Sequence, residues 1–352
     1  MSAIINILLL ILMLGIIIFI HELGHFIFAK LFKVYVHEFA IGMGPKLFSK
    51  KRPNDETEYT IRALPLGGFN SIAGESEEDE SDKDVPEDML LYKKKPWQKA
   101  IILAAGATFN IILAYLLILL FSFIKTPMQM TTELAGVKDN SPAYVAGLRK
   151  GDKIEYINNK RTKTSSDVNL QIMLSSYNKK GAPSMKVKVK GKDPVNITAA
   201  LDTIDGQKSY YYGLEFKDKK DTKFGAHLRY THKQFTSIFR QMGVTFKLLF
   251  TGKAKLKDLS GPVGMYKVVG SAKAKAGLAS LLLLTALISI NVGLINLLPF
   301  PAFDGGYLFI LLIETITGKK VPAKLTNALS FIGFALIILL SILVFVSDIG
   351  KL

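Results

Sequence analysis

Four long apolar stretches alternate with polar segments along the chain, and each contains few charged residues. They run from Ile4 to about Phe28, from Ala100 to Ile124, from Leu278 to Leu298 and beyond, and from Leu325 to Val346. About 20 consecutive apolar residues are enough to cross a bilayer as a helix. The pattern therefore predicts a polytopic α-helical membrane protein with about four transmembrane helices.

Between the apolar stretches, apolar and polar residues alternate over short segments, as is typical of strands. The segments Phe39–Leu47 and Glu58–Phe69 are punctuated by glycine and proline and predict the short strands of a hairpin region. Residues 131–217 combine a helix-sized segment with alternating strands such as Ser184–Lys190 and Tyr210–Phe216. We therefore expect one small α+β domain, inserted between the second and third spans.

The distribution of charge predicts the topology. The chain has 352 residues and a formal net charge of +16. Basic residues cluster in the loops after the first span and before the second and fourth spans, namely Lys30, Lys33, Lys46, Lys50, Lys51, Arg52, Lys93, Lys94, Lys95, Lys99, Lys319, Lys320 and Lys324. By the positive-inside rule these loops are cytoplasmic, so the amino terminus and the stretch from Lys125 to about Ala276 lie outside.

Charge and cysteine content also limit the chemistry. Lysines beside membrane spans are explained by topology and by attraction to anionic lipid, so the lipid bilayer is a predicted partner and nucleic acid is not. The chain contains no cysteine, so a metal would have to be bound by imidazole and carboxylate. The segment Glu75–Asp88 is densely acidic and predicts a mobile, solvated loop.

An H-E-x-x-H motif ends the first apolar stretch. On a helix, His21 and His25 lie four residues apart, so both imidazoles project from nearly the same face and can bind one metal ion. Glu22 lies beside them and can take a proton from water. Isolated matches arise by chance in soluble helices, but ionisable groups in an apolar span are costly and indicate function.

A catalytic zinc site usually has three protein ligands, so a third donor is needed. His37, His227 and His232 lie outside the apolar spans, whereas Asp304 and Glu314 lie inside or beside one. Asp304 stands out because, in the predicted topology, it lies on the cytoplasmic half of the third apolar region. It would then share its membrane depth with the two histidines.

The segment before Asp304 is predicted to be a broken helix that lines a cavity. Pro299 and Pro301 remove backbone donors, which a membrane tolerates only beside protein, ligand or water. Gly305 and the glycine after it would permit close approach to a neighbouring helix. Asn296 can bond an extended peptide or a developing oxyanion, or it can make an ordinary interhelical hydrogen bond.

These two motifs together resemble the site-2 protease family of intramembrane zinc metalloproteases. The resemblance rests on the H-E-x-x-H motif and on Asn296-x-x-Pro299-x-Pro301-x-Phe303-Asp304-Gly305. It implies that His21, His25 and Asp304 are zinc ligands and that Glu22 is the general base. Phe303 stands where the family more often has leucine, and Ala107 stands where the bacterial pattern commonly has proline.

The resemblance also implies a membrane-associated hairpin near the active site. Its strand edge could pair with an unwound substrate segment, for which we assign Gly67 and Gly68 to substrate binding together with Asn296, Pro299 and Pro301. A purely structural hairpin that caps the helices is the alternative.

The inserted domain resembles a bacterial PDZ domain. The resemblance rests on Ser141-Pro142-Ala143, which would begin a short helix, and on Gly151-Asp152, which would form a turn into a strand. It implies binding of extended peptides or carboxyl-terminal ends by strand addition, and thus a filter for trimmed substrates. A scaffold with an unused groove is the alternative.

Residues after this domain predict an amphipathic helix from Thr231 to Phe250, lying along the outer membrane interface. A turn at Leu259–Gly264 follows, which would serve equally as a gate or a linker. The predicted divisions are then as follows. Residues 1–127 form the first part of the membrane protease core, with two spans, the hairpin and the acidic loop, and residues 128–218 form the PDZ domain. Residues 219–276 form the amphipathic segment and linker, and residues 277–352 form the last two spans of the core.

The sequence thus predicts an intramembrane zinc endopeptidase in the plasma membrane, with its active site towards the cytoplasm. By resemblance, its substrates would be single-span membrane proteins such as anti-sigma factors, trimmed stubs or remnant signal peptides, in regulated intramembrane proteolysis. Two other classes fit less well. A non-catalytic adaptor would not need Glu22 beside both histidines, and a metal transporter would not need a peptide-binding domain.

Overall fold

In the computed structural model, four helices among the described residues are long and apolar enough to cross a membrane. They are α1 (Ser2–Leu31), α2 (Pro96–Ile124), α6 (Leu278–Asn296) and α8 (Ala323–Ile349). The polytopic helical architecture is therefore confirmed. The structure describes residues 2–75, 80–125, 131–177, 181–204, 207–216, 223–252, 261, 264–266, 268–270 and 277–349.

The third apolar stretch is not one continuous helix. Helix α6 ends at Asn296, and the chain becomes helical again only in α7 (Asp304–Thr317). The interruption contains Pro299 and Pro301, which cannot donate backbone hydrogen bonds. The prediction of a broken helix is confirmed, whereas the extension of the span beyond Leu298 is wrong.

The hairpin strands are much longer than the two short strands predicted. Strand β1 (Val36–Lys51) pairs antiparallel with β2 (Glu58–Ile72). Gly42 and Gly44 adopt positive φ values of 87° and 82°, which let β1 bend sharply. Because of the bend, residues 58–61 of β2 pair both with residues 38–41 and with residues 48–51 of β1, while residues 68–71 of β2 pair with the other side of residues 38–41.

The acidic segment is not wholly a mobile loop. Its described part contains short 3₁₀ helices at Glu80–Asp82 and Glu87–Met89. Asp82 accepts a hydrogen bond from the Gly74 amide (2.7 Å) and lies 2.8 Å from His37 Nε2. This part is therefore attached to the hairpin, which acidic composition alone did not reveal. Residues 76–79 lie outside the described residues.

The chain divides into two compact units. One comprises Met1–Leu117 with Lys255–Leu352, and the other comprises Ile118–Ala254. In the first unit, residues around the carboxyl-terminal end of α1 form an apolar core with the hairpin and α2: Ala29, Val34, Val36, Ile72, Leu91 and Ile102.

The second unit contains a mixed α/β fold. Its strands are β3 (Leu134–Val137), β4 (Ile154–Ile157), β5 (Lys160–Arg161), β6 (Ser184–Val189), β7 (Val195–Thr198), β8 (Ala200–Ile204), β9 (Gln207–Tyr211) and β10 (Leu214–Phe216). Its helices are α3 (Pro142–Val145), α4 (Ser165–Tyr177) and α5 (Phe224–Phe250). Strands β5, β4, β6 and β7 form one sheet, while β10 pairs with β3 and β8 with β9. The buried face of β6 contributes Met185, Val187 and Val189 to the core.

Two local predictions in this unit have different outcomes. The short helix α3 does begin after Ser141, whose hydroxyl accepts a hydrogen bond from the Tyr144 amide at 3.3 Å. The single strand predicted at Tyr210–Phe216 is wrong, because β9 ends before buried Tyr212 and β10 begins after Gly213. Gly213 has a positive φ of 80°, which ends the extended conformation.

Helix α5 begins at Phe224, earlier than the predicted Thr231. Within the same unit it packs on the end of α2, where the His227 ring stacks on Phe123 with centroids 4.3 Å apart. His227 Nδ1 lies 3.1 Å from Ser122 Oγ. The predicted turn at 259–264 lies mostly outside the described residues. Its described members Gly261 and Gly264 donate backbone hydrogen bonds to the Asp348 carboxylate.

Candidate metal centre

Three predicted metal ligands lie together in the structure. His21 Nε2 and His25 Nε2 are 3.2 Å apart, and Asp304 Oδ2 lies 3.2 Å from the first and 3.4 Å from the second. Both histidines are buried, with 8% of their surface exposed. Helix α1 places the histidines on one face, and the start of α7 brings the carboxylate to them.

The spacing of these atoms fits a zinc ion. Zinc bonds of about 2.0–2.1 Å in tetrahedral geometry place neighbouring ligand atoms about 3.3 Å apart. The three observed separations lie within 0.1–0.2 Å of that value. In addition, Asp304 Oδ2 is buried without a hydrogen-bond donor among the described residues, which a bound cation would satisfy.

Hydrogen bonds on the far side of each imidazole fix which nitrogen faces the centre. His25 Nδ1 lies 2.8 Å from the backbone oxygen of Ile102, so Nδ1 carries the proton and Nε2 presents its lone pair. His21 Nδ1 lies 3.3 Å from the Asn110 amide group. With the amide oxygen turned to the ring, Asn110 accepts from Nδ1, and its buried Oδ1 gains the partner that it otherwise lacks among the described residues.

Helix α2 approaches the histidines through small residues. A side-chain carbon added at Gly106 would lie 2.3 Å from His25 Nε2 and 2.7 Å from His21 Cε1. One added at Gly24 would lie 2.6 Å from the backbone oxygen of Ala105. The two helices can therefore meet at His21 and His25 only because both positions are glycine.

The segment before Asp304 is fixed by close backbone contacts. A carbon added at Gly305 would lie 2.3 Å from the Leu298 oxygen, and one at Gly306 would lie 2.5 Å from the Phe300 oxygen. These glycines thus pack on the interrupted segment itself, and the prediction that they admit a neighbouring helix is wrong. Ala302 has a φ of 79°, a left-handed conformation that is costly for alanine.

Glu22 lies beside the histidines and is held from the hairpin. The Asn70 amide nitrogen donates to the Glu22 backbone oxygen at 2.5 Å and lies 3.3 Å from Glu22 Oε2. Glu75 follows β2 and is influenced by the same centre. Although part of its surface reaches solvent, burial raises the pKa of Glu75 to about 7, against the opposing effect of His25.

Comparison with known proteins identifies the family. The family model described as peptidase family M50 matches residues 9–340. The chain belongs to this family. A Clostridium acetobutylicum protein is 38% identical over 98% of this chain and 97% of its own length. The zinc metalloprotease RasP of Shouchella clausii is 29% identical over 96% of this chain and 97% of its own length.

The regulator of sigma-W protease RasP of Bacillus subtilis is 30% identical over 96% of both chains. The protein is therefore a zinc metalloprotease of family M50, and the resemblance to site-2 proteases, the predicted enzyme class and the predicted zinc cofactor are confirmed.

The other donors considered from the sequence lie elsewhere in this M50 protease. His37 binds Asp82, and His227 lies against Ser122. His232 lies in α5, and Glu314 accepts the backbone hydrogen bond of Val321 at 2.9 Å. Among the described residues, only His21, His25 and Asp304 form a group able to hold a metal ion.

The residues predicted to bind substrate lie in three different parts of the structure. Gly67 lies beside Ile18, and Gly68 lies beside the Glu22 side chain. Asn296 is the last residue of α6. Pro299 and Pro301 line a mainly apolar pocket of about 180 Å³ between the interrupted segment and helices α7 and α8. Their role in substrate binding stays a prediction.

Two supporting residues were given no role from the sequence. Asn110 contacts His21 through its side chain. The backbone oxygen of Asn110 accepts a hydrogen bond from the Ser289 hydroxyl of α6 at 2.7 Å. A polar residue in an apolar span is a signal that could have revealed Asn110. Asn70 lies in an unremarkable strand sequence, and only the bend of the hairpin onto α1 shows its contact with Glu22.

Proposed function

We propose that this M50 protease is an intramembrane endopeptidase that cleaves the membrane-spanning segments of other proteins. The observation that carries the proposal is the position of His21, Glu22 and His25 inside the apolar helix Ile4–Leu31, close to Asp304. A hydrolytic centre at this point of an apolar helix meets substrates that are themselves in the membrane.

The chemistry follows from the geometry of the centre. His21, His25 and Asp304 would hold zinc through Nε2, Nε2 and Oδ2. Zinc, when bound, supplies Lewis-acid polarisation of a water molecule and of the scissile carbonyl. Glu22 accepts a proton from the attacking water and delivers it to the leaving amine.

A helical substrate segment must unwind before it can be cleaved, because its backbone groups are otherwise paired. The β2 strand runs beside Glu22 at Gly68, so an extended substrate pairing with this strand would lie next to the general base. Asn296 and the interrupted segment at Pro299 and Pro301 would hold the substrate extended from the other side. This assignment of the substrate path is part of the proposal.

The second unit contributes a peptide-binding filter in this proposal, as a PDZ domain covering residues 128–218. A groove of about 310 Å³ lies between β10 and α4 and is lined by Tyr212, Gly213, Leu214 and Ile172. Strand β10 pairs with β3 on one side, and an added peptide strand would pair on its groove side. Trimmed carboxyl-terminal ends would enter this groove, whereas an intact folded ectodomain would be excluded.

We place the protein in the plasma membrane, with the active site towards the cytoplasm and the PDZ domain outside. The support is the cluster of basic residues in the loops around the hairpin. We further propose that its substrates are single-span proteins such as anti-sigma factors, trimmed stubs and remnant signal peptides. The Bacillus subtilis relative named regulator of sigma-W protease supports regulated intramembrane proteolysis.

Purified protein and a single-span reporter tagged at both ends test the proposal. Glu22→Gln should abolish cleavage while zinc content stays equal to that of the wild type. Glu314→Gln, an acid substitution at the far end of α7, is the matched control and should cleave normally. Equal cleavage by Glu22→Gln, or no cleavage by the wild type in detergent and in lipid vesicles, would overturn it.

The filter is tested with a second pair of reporters, one carrying a folded ectodomain and one ending in a short tail. Ile172→Lys, which places a charge in the groove, should weaken cleavage of the short-tailed reporter. An unchanged preference between the two reporters would remove the peptide-binding role and leave the scaffold alternative.

A further inference from the structure

The hairpin contacts the catalytic region of α1 through one polar side chain. Asn70 lies in β2, and its backbone pairs with Phe39 of β1. Phe39 in turn packs against Phe19 and Phe26 of α1, with ring centroids 5.9 Å and 4.8 Å away. Phe19 precedes Glu22 in α1 and Phe26 follows it, so these aromatic contacts hold β1 against α1 on both sides of Glu22.

The Asn70 amide faces two acceptors of the same residue. Its Nδ2 donates to the Glu22 backbone oxygen at 2.5 Å and approaches Glu22 Oε2 at 3.3 Å. Because both partners are oxygens that only accept, the amide can present only its NH₂ group to Glu22. Its Oδ1 is then buried, without a partner among the described residues.

Close packing places the strand backbone directly against its neighbours. A carbon added at Gly68, two residues before Asn70, would lie 2.7 Å from the Ala40 oxygen and 3.8 Å from Glu22 Cγ. The strand backbone thus runs against the Glu22 side chain itself. Asn70 is therefore attached to a rigid neighbour of the general base.

We infer that Asn70 is a positioning residue that holds the Glu22 carboxylate in one orientation for proton transfer. This inference rests on the proposed function of Glu22 as general base. Asn70 engages Oε2, which leaves Oε1 as the oxygen that accepts the proton from water. An orientation fixed before the reaction avoids the cost of ordering the carboxylate during it.

A purely structural role is the competing explanation, since the bond to the Glu22 backbone oxygen would also tie the hairpin to α1. The two roles affect different quantities. A structural tie acts through folding, zinc content or substrate affinity. A positioning residue acts on kcat and on the environment of the Glu22 carboxyl group, with zinc content and KM unchanged.

The test compares the full-length wild type with Asn70→Ala, Asn70→Asp and Ser71→Ala, the last being the neighbouring residue of the same strand. Cleavage of the doubly tagged single-span reporter gives kcat and KM, and metal analysis gives zinc content. We expect Asn70→Ala to lower kcat about tenfold, as for other outer-shell partners. Asn70→Asp should lower it further, because it places a carboxyl group against Glu22.

A second readout needs neither zinc nor activity. In metal-free protein, infrared difference spectra against Glu22→Gln identify the absorption band of the Glu22 carboxyl group. That band should shift in Asn70→Ala and stay in place in Ser71→Ala. An unshifted band, an unchanged kcat, or a loss of zinc in Asn70→Ala would overturn the inference, while a cleaving wild type and an inactive Glu22→Gln would leave the proposed function intact.

Discussion

The two sides of the metal centre are held by different kinds of backbone. His21 and His25 lie on an uninterrupted helix, where a spacing of four residues brings their ring centroids to 4.8 Å. Asp304 instead follows an irregular segment, in which Ala302 has a positive φ of 79°. The same three-atom cluster thus joins a regular element to an irregular one.

This difference separates the interactions that orient each ligand. On the histidine side the helix supplies the spacing, and groups of α2, among them Asn110 and Gly106, set the ring orientation. On the aspartate side, backbone atoms of residues 297–301 contact Gly305 and Gly306 directly. Changes near the histidines should therefore affect metal binding alone, whereas changes near Asp304 should affect metal binding and local folding together.

The largest effect is expected for Gly305→Ala. The added methyl group would lie 2.3 Å from the Leu298 oxygen and 2.4 Å from the Leu297 carbonyl carbon, and backbone atoms cannot move aside as a side chain can. We expect both zinc content and thermal stability to fall, measured by metal analysis and by thermal unfolding in detergent.

Gly243→Ala is the matched control for that experiment. Gly243 lies in α5, and an added carbon meets nothing within 4 Å. Alanine is the better helix former by about 1 kcal/mol, so this variant should keep its zinc and its stability. Full zinc content in Gly305→Ala would show that the irregular segment is more adaptable than its packing indicates.

Gly106→Ala should have the next largest effect, confined to the metal. Its methyl group would lie 2.3 Å from His25 Nε2, the atom that would bind zinc in the proposed centre. The imidazoles can turn away, so we expect the fold to persist and zinc affinity to fall by more than about 100-fold. Competition with a chelator measures the affinity, and circular dichroism checks the helices. Wild-type affinity would contradict the assigned ligand geometry.

The same contrast explains what the sequence predicted and what it did not. Helix spacing made the proximity of His21 and His25 predictable, because both residues lie within one regular element. Asp304 was found from its membrane depth and its prolines, and the M50 match places the chain in the family that those motifs indicated. The break of the third span followed from the chemistry of Pro299 and Pro301.

Long-range contacts were beyond the sequence patterns. The bent hairpin brings Asn70 to Glu22 across 48 positions, a contact that local periodicity cannot specify. Composition likewise predicted a mobile acidic loop, although Asp82 binds both His37 and the Gly74 amide. In both cases tertiary packing decides the conformation, and local propensity does not encode it.

Asn110→Leu should have a moderate effect on the histidine side. Leucine has a similar volume but cannot accept a hydrogen bond from His21 Nδ1. The ring therefore loses the hydrogen bond that fixes its tautomer. We expect zinc affinity to fall about 10–100-fold, measured by chelator competition. Thr108→Val, on the exposed face of the same helix, should bind zinc normally. Equal affinity of both variants would mean that Asn110 only connects α2 to α6.

The smallest effect is expected for Ala302→Gly, on the aspartate side. Ala302→Gly removes the cost of about 1–2 kcal/mol that alanine has in a left-handed conformation. Glycine, however, loses more conformational entropy on folding, which destabilises the folded state by about 0.5–1 kcal/mol. The two effects nearly cancel, so zinc affinity should stay within about threefold. Ala302→Val should lose most of its zinc, because a β-branched residue does not adopt this conformation. Equal zinc binding by the valine and glycine variants would show that Asp304 reaches the histidines without this turn, and that the regular helix alone determines the geometry of the centre.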